Sequence, residues 1–207
     1  MEVIHIDVDG QRLELGAQPS YGAFNGLCQG EDRTGLRLWA RPARRVVKFL
    51  EDAPSLVRGK RVVELGCGAL AALARASIIL GAKSALATDG SETIVALARA
   101  HCAAAQLRFG EPCDAAPGAT ADLVLGSELL YYNTDLDALV ATIAGQLSED
   151  GVCVLCVVIR RHIKRQEAMF QGACRQSRSA AIDTVHDAEH AHTIFRQLVR
   201  DGCHERI

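Results

Sequence analysis

The segment Val62-Val63-Glu64-Leu65-Gly66-Cys67-Gly68 constrains the fold of this chain more than any other. An apolar run ends on an acid and passes straight into two glycines. Glycine lacks a Cβ, so the backbone there can turn sharply and approach a ligand closely. A second strand-like run ends on Asp89, 21 residues after Gly68. This layout is the nucleotide-cofactor end of a doubly wound α/β sheet, where ligands sit beyond the carboxyl ends of the strands.

The rest of the chain supplies the layers. Ile4–Val8 and Gln11–Leu15 alternate around Asp9-Gly10, which suits a type I′ turn, so they read as a hairpin. Pro42 fits a first helical turn, and Ala43–Leu50 reads as helix. Strands are expected at Arg61–Leu65, Ser84–Thr88, Leu107–Phe109, Asp122–Ser127 and Val152–Ile159. Between them, Ala69–Leu80 reads as a helix closed by Gly81, and a second helix runs from a Ser91 cap to about Ala105. A third opens on a Thr134/Asp137 capping box, and Arg160–Ala173 reads as another helix. Asp150-Gly151 reads as a turn, and Ala181–Val185 with Thr193–Val199 as a closing antiparallel pair. Strands alternating with helices predict a parallel sheet covered on both faces.

With 207 residues and no linker or repeat, a single domain is expected. A net charge of -2 gives no global electrostatic case for nucleic acid. No apolar run reaches membrane-spanning length, and the opening Met1–Asp7 does not read as a secretory signal. Eight irregularly spaced cysteines point to a reducing compartment, the cytoplasm or the nucleus. Cys153 and Cys156 stand three apart in a strand and so face opposite ways, which favours packing over redox or metal use. Met169-Phe170 reads as core.

Two cofactors compete for the glycine turn. Gly66-x-Gly68-x-x-Ala71 fits a dinucleotide fingerprint, although no residue set for hydride transfer accompanies it. Glu64 favours S-adenosylmethionine, because a carboxylate attracts a sulfonium and an ammonium but does nothing for a pyrophosphate. The alternative for Glu64 is a strand-end ion pair with Arg61 or Lys60. Further on, Asp122–Ser127 runs into Glu128 and Tyr131-Tyr132, an acid and phenols placed where they can position a nucleophilic amine; the alternative is that the tyrosines cap the core and Glu128 is solvated.

Gly35-Leu36-Arg37-Leu38-Trp39, Glu64–Gly68, Ala87-Thr88-Asp89, Leu107-Arg108-Phe109-Gly110 and Gly126-Ser127-Glu128-Leu129-Leu130-Tyr131 occur in one order. Over roughly 35–170 this set resembles the seven-β-strand methyltransferases of the protein-lysine methyltransferase group, methyltransferase family 16. The resemblance implies a Rossmann-like doubly wound seven-stranded sheet, mostly parallel with an antiparallel final strand, behind a short N-terminal hairpin. It implies S-adenosylmethionine as cofactor, held by Trp39 at the methionine end, by the backbone of Gly66, Cys67 and Gly68, by Asp89 at the ribose and by Phe109 at adenine. Ser127 would lie near the cofactor, and Glu128 and Tyr131 would shape the pocket of the target amine. The implied reaction is methylation of a lysine in a protein substrate, with no metal; a monomer is expected because no exposed apolar helix face stands out in the sequence.

Three positions depart from the family pattern. Leu70 stands where a third glycine is usual, Phe109 where tryptophan is usual, and Glu128 where aspartate is usual. They favour, as an alternative, a cofactor-binding regulatory or scaffold protein; a methyltransferase for arginine, histidine or a small molecule is a further one. Two basic clusters, Arg37/Arg41/Arg44/Arg45/Lys48 and Arg160/Arg161/Lys164/Arg165, are read either as steering an acidic protein surface or as solvated faces. His186, His190 and His192 would suit a metal only on a helix, which the sequence there does not support.

Overall fold

A computed structural model describes residues 2–18, 34–111, 120–130, 134–158, 168–170, 182–187 and 192–198. Strands β1 (Glu2–Val8) and β2 (Gln11–Gln18) pair antiparallel, with Asp9 and Gly10 both at positive φ, as a type I′ turn requires. The remaining strands are β3 (Arg61–Leu65), β4 (Ser84–Asp89), β5 (Ala104–Gln106), β6 (Ala121–Ser127), β7 (Leu147–Val158), β8 (Ile182–Asp187) and β9 (His192–Leu198). They form one seven-stranded sheet in the order β5-β4-β3-β6-β7-β9-β8. The first five are parallel, and β9 runs antiparallel between β7 and β8. The expected doubly wound sheet with an antiparallel final strand and a separate hairpin is therefore what the chain adopts.

Helices cover both faces. On one face, α1 (Ala40–Asp52) and α2 (Ala72–Ile79) pack against Val62, Leu123, Leu125, Val154 and Cys156, and the hairpin closes this layer through Ile4, Ile6, Val8 and Leu15. A small alanine-rich cluster joins α2 to α3 (Glu92–Ala98) across β4. On the other face, α4 (Leu136–Gln146) packs Leu139, Val140 and Ile143 against Val63, Leu65, Val124, Cys153 and Leu155. Cys153 and Cys156 are buried on opposite faces of β7, as their spacing requires. Among the described residues, no helix is long and apolar enough to cross a membrane.

Several boundaries move for identifiable reasons. α2 begins at Ala72 rather than Ala69 because Ala71 is left-handed, at φ 45 and ψ 49. α3 stops at Ala98 rather than near Ala105. Residues 104–106, locally good helix formers, are taken as β5 by pairing with Ala87, Thr88 and Asp89, so the strand expected at Leu107–Phe109 lies earlier. The cap of α4 is Asp135, whose Oδ1 accepts the Ala138 N–H at 3.0 Å. Thr134 instead donates its hydroxyl to the Leu129 carbonyl at 2.8 Å, so the Thr134/Asp137 box does not form. Asp150-Gly151 lies within β7, at a shift in its register against β6. Of the pair Met169-Phe170, only Phe170 is core; Met169 is exposed. Residues 168–170 are helical, and the rest of the expected Arg160–Ala173 helix lies outside the described residues.

At the end of the sheet away from the glycine turn, the Arg61 guanidinium donates to both carboxylate oxygens of Asp122, at 3.1 and 2.7 Å, and the Arg61 N–H adds a third bond at 2.9 Å. This holds the Asp122 carboxyl down at about 2, against an ordinary value of 3.8. A carboxyl with a depressed folded-state pKa stabilises above its unfolded value and loses that stabilisation as pH falls through the folded one. Asp122→Asn is therefore expected to lower the melting temperature at pH 7 and to have little effect near pH 2, as read by thermal scans at the two pH values.

Candidate active site

At the carboxyl ends of β3, β4 and β6 the structure encloses a cleft of about 710 Å³. That volume lies in the usual range for a small-molecule or cofactor site. Its floor is the turn after β3. Gly66 and Gly68 both lie at positive φ, 61 and 60. A Cβ on Gly66 would come within 2.5 Å of the Leu129 side chain, and one on Gly68 within 2.8 Å of the Gly35 carbonyl oxygen. The same carbonyl accepts the Ala69 N–H at 2.8 Å, so the short 3-10 turn at Thr34–Leu36 closes over the glycines. The Cys67 N–H donates to the Thr88 carbonyl at 2.8 Å, and the Cys67 side chain is buried, which pushes its thiol pKa up.

Glu64 has two roles in this geometry. It lines the cleft, and its carboxylate accepts the N–H groups of Leu73 at 3.2 Å and Ala74 at 2.8 Å. These are the second and third residues of α2, the donors an N-cap side chain normally satisfies. Ala71, the residue in the cap position, has no polar side chain, so an acid from the neighbouring strand serves instead. The strand-end ion pair with Arg61 does not form, since Arg61 is bound to Asp122. Burial raises the Glu64 carboxyl to about 8; the two N–H bonds oppose the rise and the nearby Asp89 adds to it.

This sets a pH dependence. The folded-state value lies above the unfolded value of 4.5, so cofactor-free protein draws stability from this proton fully below 4.5 and loses it as pH rises through about 8. A cation bound beside Glu64 favours the ionised form and expels the proton. Affinity for a cationic cofactor is therefore expected to rise with pH below 8, by up to about tenfold per unit. Calorimetry in buffers of different ionisation enthalpy will register the released proton, and Glu64→Gln will abolish the slope.

Asp89 joins the floor to α3. Its Oδ2 accepts the Gly68 N–H and its Oδ1 the Ser91 N–H, each at 3.1 Å. Ser91 caps α3 as expected, accepting the Ile94 N–H. Trp39, at the start of α1, and Phe109, beyond β5, both line the cleft, and Phe109 leans on the α4 face of the core. Ser127, which ends β6, and Glu128 also line the cleft. Glu128 is 4% exposed and left-handed, at φ 58, with its N–H donated to the Cys156 carbonyl at 2.8 Å. A bulky side chain rarely takes that conformation; here it breaks β6 and leaves the carboxylate at the cleft.

The cleft thus brings together Trp39, Glu64, Gly66, Cys67, Gly68, Asp89, Phe109, Ser127 and Glu128. Tyr131 lies outside the described residues. Sequence reasoning did not place Arg108, Ile94 or Asp135 at the cleft, which they also line. Ile94 is there because Gly35 packs directly on it, a long-range contact without a local signal. Of the basic residues on α1, Arg44 donates to the His5 carbonyl and Lys48 pairs with Asp52 at 2.7 Å, so both are engaged within the fold. Arg160, Arg161, Lys164 and Arg165 lie outside the described residues. His186 and His192 fall in strands β8 and β9, not on a helix, and His190 lies outside the described residues. Among the described residues no cluster of metal-ligating side chains is present.

The donor set suits one ligand chemistry: a cationic group beside Glu64, a hydroxyl-bearing ring beside Asp89 and a flat heterocycle beside Phe109, over a turn whose two glycines lie at positive φ. Solved structures share the fold. A Thermus thermophilus 16S rRNA N2 G1207 methyltransferase, solved with AdoMet and guanosine, superposes with a TM-score of 0.64 at 16% identity over 96% of this chain and 50% of that one. A ribosomal protein L11 methylase from Lactobacillus delbrueckii subsp. bulgaricus gives 0.56 at 20% identity over 76% and 80%. At such identities the likeness is one of fold. In sequence, the protein N-lysine methyltransferase METTL21A of Danio rerio is 31% identical over 121 residues, 54% of this chain and 56% of the relative. The chain thus spans about half the length of that curated relative. The pattern of the lysine methyltransferase family matches residues 29–176, most of the sequence. The chain belongs to the lysine methyltransferase family.

Proposed function

We propose that this chain transfers a methyl group from S-adenosylmethionine to a lysine side chain of a protein substrate. The observation that carries the reading is the position of Glu128, a buried carboxylate on the wall of the same cleft whose floor is the glycine turn. Bound S-adenosylmethionine supplies an electrophilic methyl group. The chain's own residues hold and orient: Asp89 accepts from the ribose hydroxyls, Phe109 packs on adenine, Trp39 lines the methionine end and Glu64 complements the positive charge. Ser127 stands beside the methyl-bearing end.

The acceptor must arrive as a neutral amine, and a free lysine, with a pKa of about 10.4, is mostly charged at neutral pH. Desolvation in the cleft and the neighbouring cationic charge both lower that value. Glu128 then orients the amine along the line of transfer, and Tyr131, by the family resemblance, would help to shape the pocket of the target amine. Alignment supplies most of the rate. We read the whole chain, 1–207, as one monomeric domain working in the cytoplasm or nucleus, in keeping with its eight irregularly spaced cysteines. Arg41, exposed on α1, suits a substrate with an acidic surface, and added salt should then weaken substrate binding.

The test is incubation of the protein with labelled S-adenosylmethionine and cell extract, followed by mass spectrometry of the labelled product. Label on a lysine of a protein supports the proposal. Label on arginine, histidine or a small molecule moves it to another acceptor. Tight cofactor binding without label in any fraction favours the second reading, a regulatory or scaffold protein, to which the longer arm of Glu128 in place of aspartate lends support.

A further inference from the structure

The N-terminal hairpin lies outside the main sheet, yet a side chain of α2 ties it to the cofactor turn. The Arg75 guanidinium donates through Nη2 to the Glu14 carbonyl at 2.7 Å and through Nη1 to the carbonyls of Leu15 and Leu70, each at 3.4 Å. Glu14 and Leu15 belong to β2. Leu70 lines the cleft and directly precedes the left-handed Ala71. Arg75 also follows Leu73 and Ala74, whose N–H groups are held by Glu64. The guanidinium is half-buried, so these carbonyls replace water it has lost. The planar fork of arginine can address several acceptors at once, which the single ammonium of lysine cannot do in the same way.

We propose that Arg75 is a positioning residue for the cofactor turn, making the docked β1–β2 hairpin a working part of the S-adenosylmethionine site. With the hairpin seated, its Glu14 and Leu15 carbonyls orient the guanidinium, and the guanidinium holds the Leu70 carbonyl and with it the turn between Gly68 and α2. Coupling of this kind is reciprocal: cofactor binding must tighten the hairpin by the same factor by which the seated hairpin tightens the cofactor. The inference rests on the assignment of the cleft to S-adenosylmethionine.

The test pairs calorimetry with hydrogen exchange on the full chain, using S-adenosylhomocysteine as the probe. In the parent, the ligand should slow exchange of the β1 and β2 amides severalfold. Arg75→Ala should weaken binding by about tenfold, a loss of about 1.4 kcal/mol, and should make hairpin exchange independent of the ligand. Arg75→Lys should recover only part of either effect. If Arg75→Ala fails to melt cooperatively, Arg75→Gln, which keeps one donor group, is read in its place. Variants with parental affinity and parental ligand-dependent protection of the hairpin would overturn the proposal. Failure of the parent itself to bind the ligand would instead count against the cofactor assignment.

Discussion

Gly68→Ala should weaken S-adenosylmethionine binding by about tenfold to a hundredfold, the equivalent of ~1.4–2.7 kcal/mol, while leaving a folded protein. Two costs coincide at this position. Gly68 lies at φ 60, and a left-handed conformation costs an L-residue about 1–2 kcal/mol. Its new Cβ would also stand 2.8 Å from the Gly35 carbonyl oxygen, a backbone atom that cannot swing aside as a side-chain tip can. Relief requires the 3-10 turn at Thr34–Leu36 to lift or the glycine turn to shift, and the Gly68 N–H then leaves Asp89. Gly59→Ala is the control. Gly59 carries the same kind of strain, at φ 71, with nothing within 4 Å of its Cβ, so it should lower the melting temperature without changing affinity. Calorimetry and thermal melts on both variants separate strain from the loss of the site.

Glu128→Ala should reduce methyl transfer by about a hundredfold or more in kcat, with the cofactor dissociation constant within a fewfold of the parent. The expected size is that of misplacing a reacting group by roughly an ångström, or of losing a preorganised polar partner. Glu128 lines the cleft from the end of β6 and not from the glycine turn itself, so its removal should spare the backbone contacts of that turn. Single-turnover kinetics beside cofactor titration makes the distinction. Glu128→Asp adds information, because aspartate tolerates the left-handed region better than glutamate while its carboxylate sits one methylene further back. A Glu128→Ala variant that methylates as fast as the parent would remove this residue from the mechanism.

The parts of this architecture legible in the sequence are those written in local patterns. The boundaries of β3 at Arg61–Leu65, the Asp9-Gly10 turn, the Ser91 cap and the Gly81 stop each depend on residues within a few positions of one another. The gathering of Glu64, Asp89, Phe109 and Glu128 in one cleft follows from the doubly wound topology, which brings the carboxyl ends of β3, β4 and β6 together. What escaped depends on distant partners. Alanine is an ordinary helix former, and nothing near Ala71 announces that it will turn left-handed. Leu70 stands where the family has its third glycine, and the left-handed position falls one residue later. Glu64 reads as a ligand-facing acid, and only the fold shows that it also caps α2. Residues 104–106 show the same competition, with sheet pairing to β4 overriding helix propensity.

The most direct test of the central claim is calorimetric titration of the purified chain with S-adenosylmethionine and S-adenosylhomocysteine, with NAD as the control. Saturable, one-site binding of the two sulfur nucleosides, strengthening as pH rises toward 8, with no heat from NAD, is the predicted result. Binding of NAD alone, or of none of the three, would contradict the assignment of this cleft.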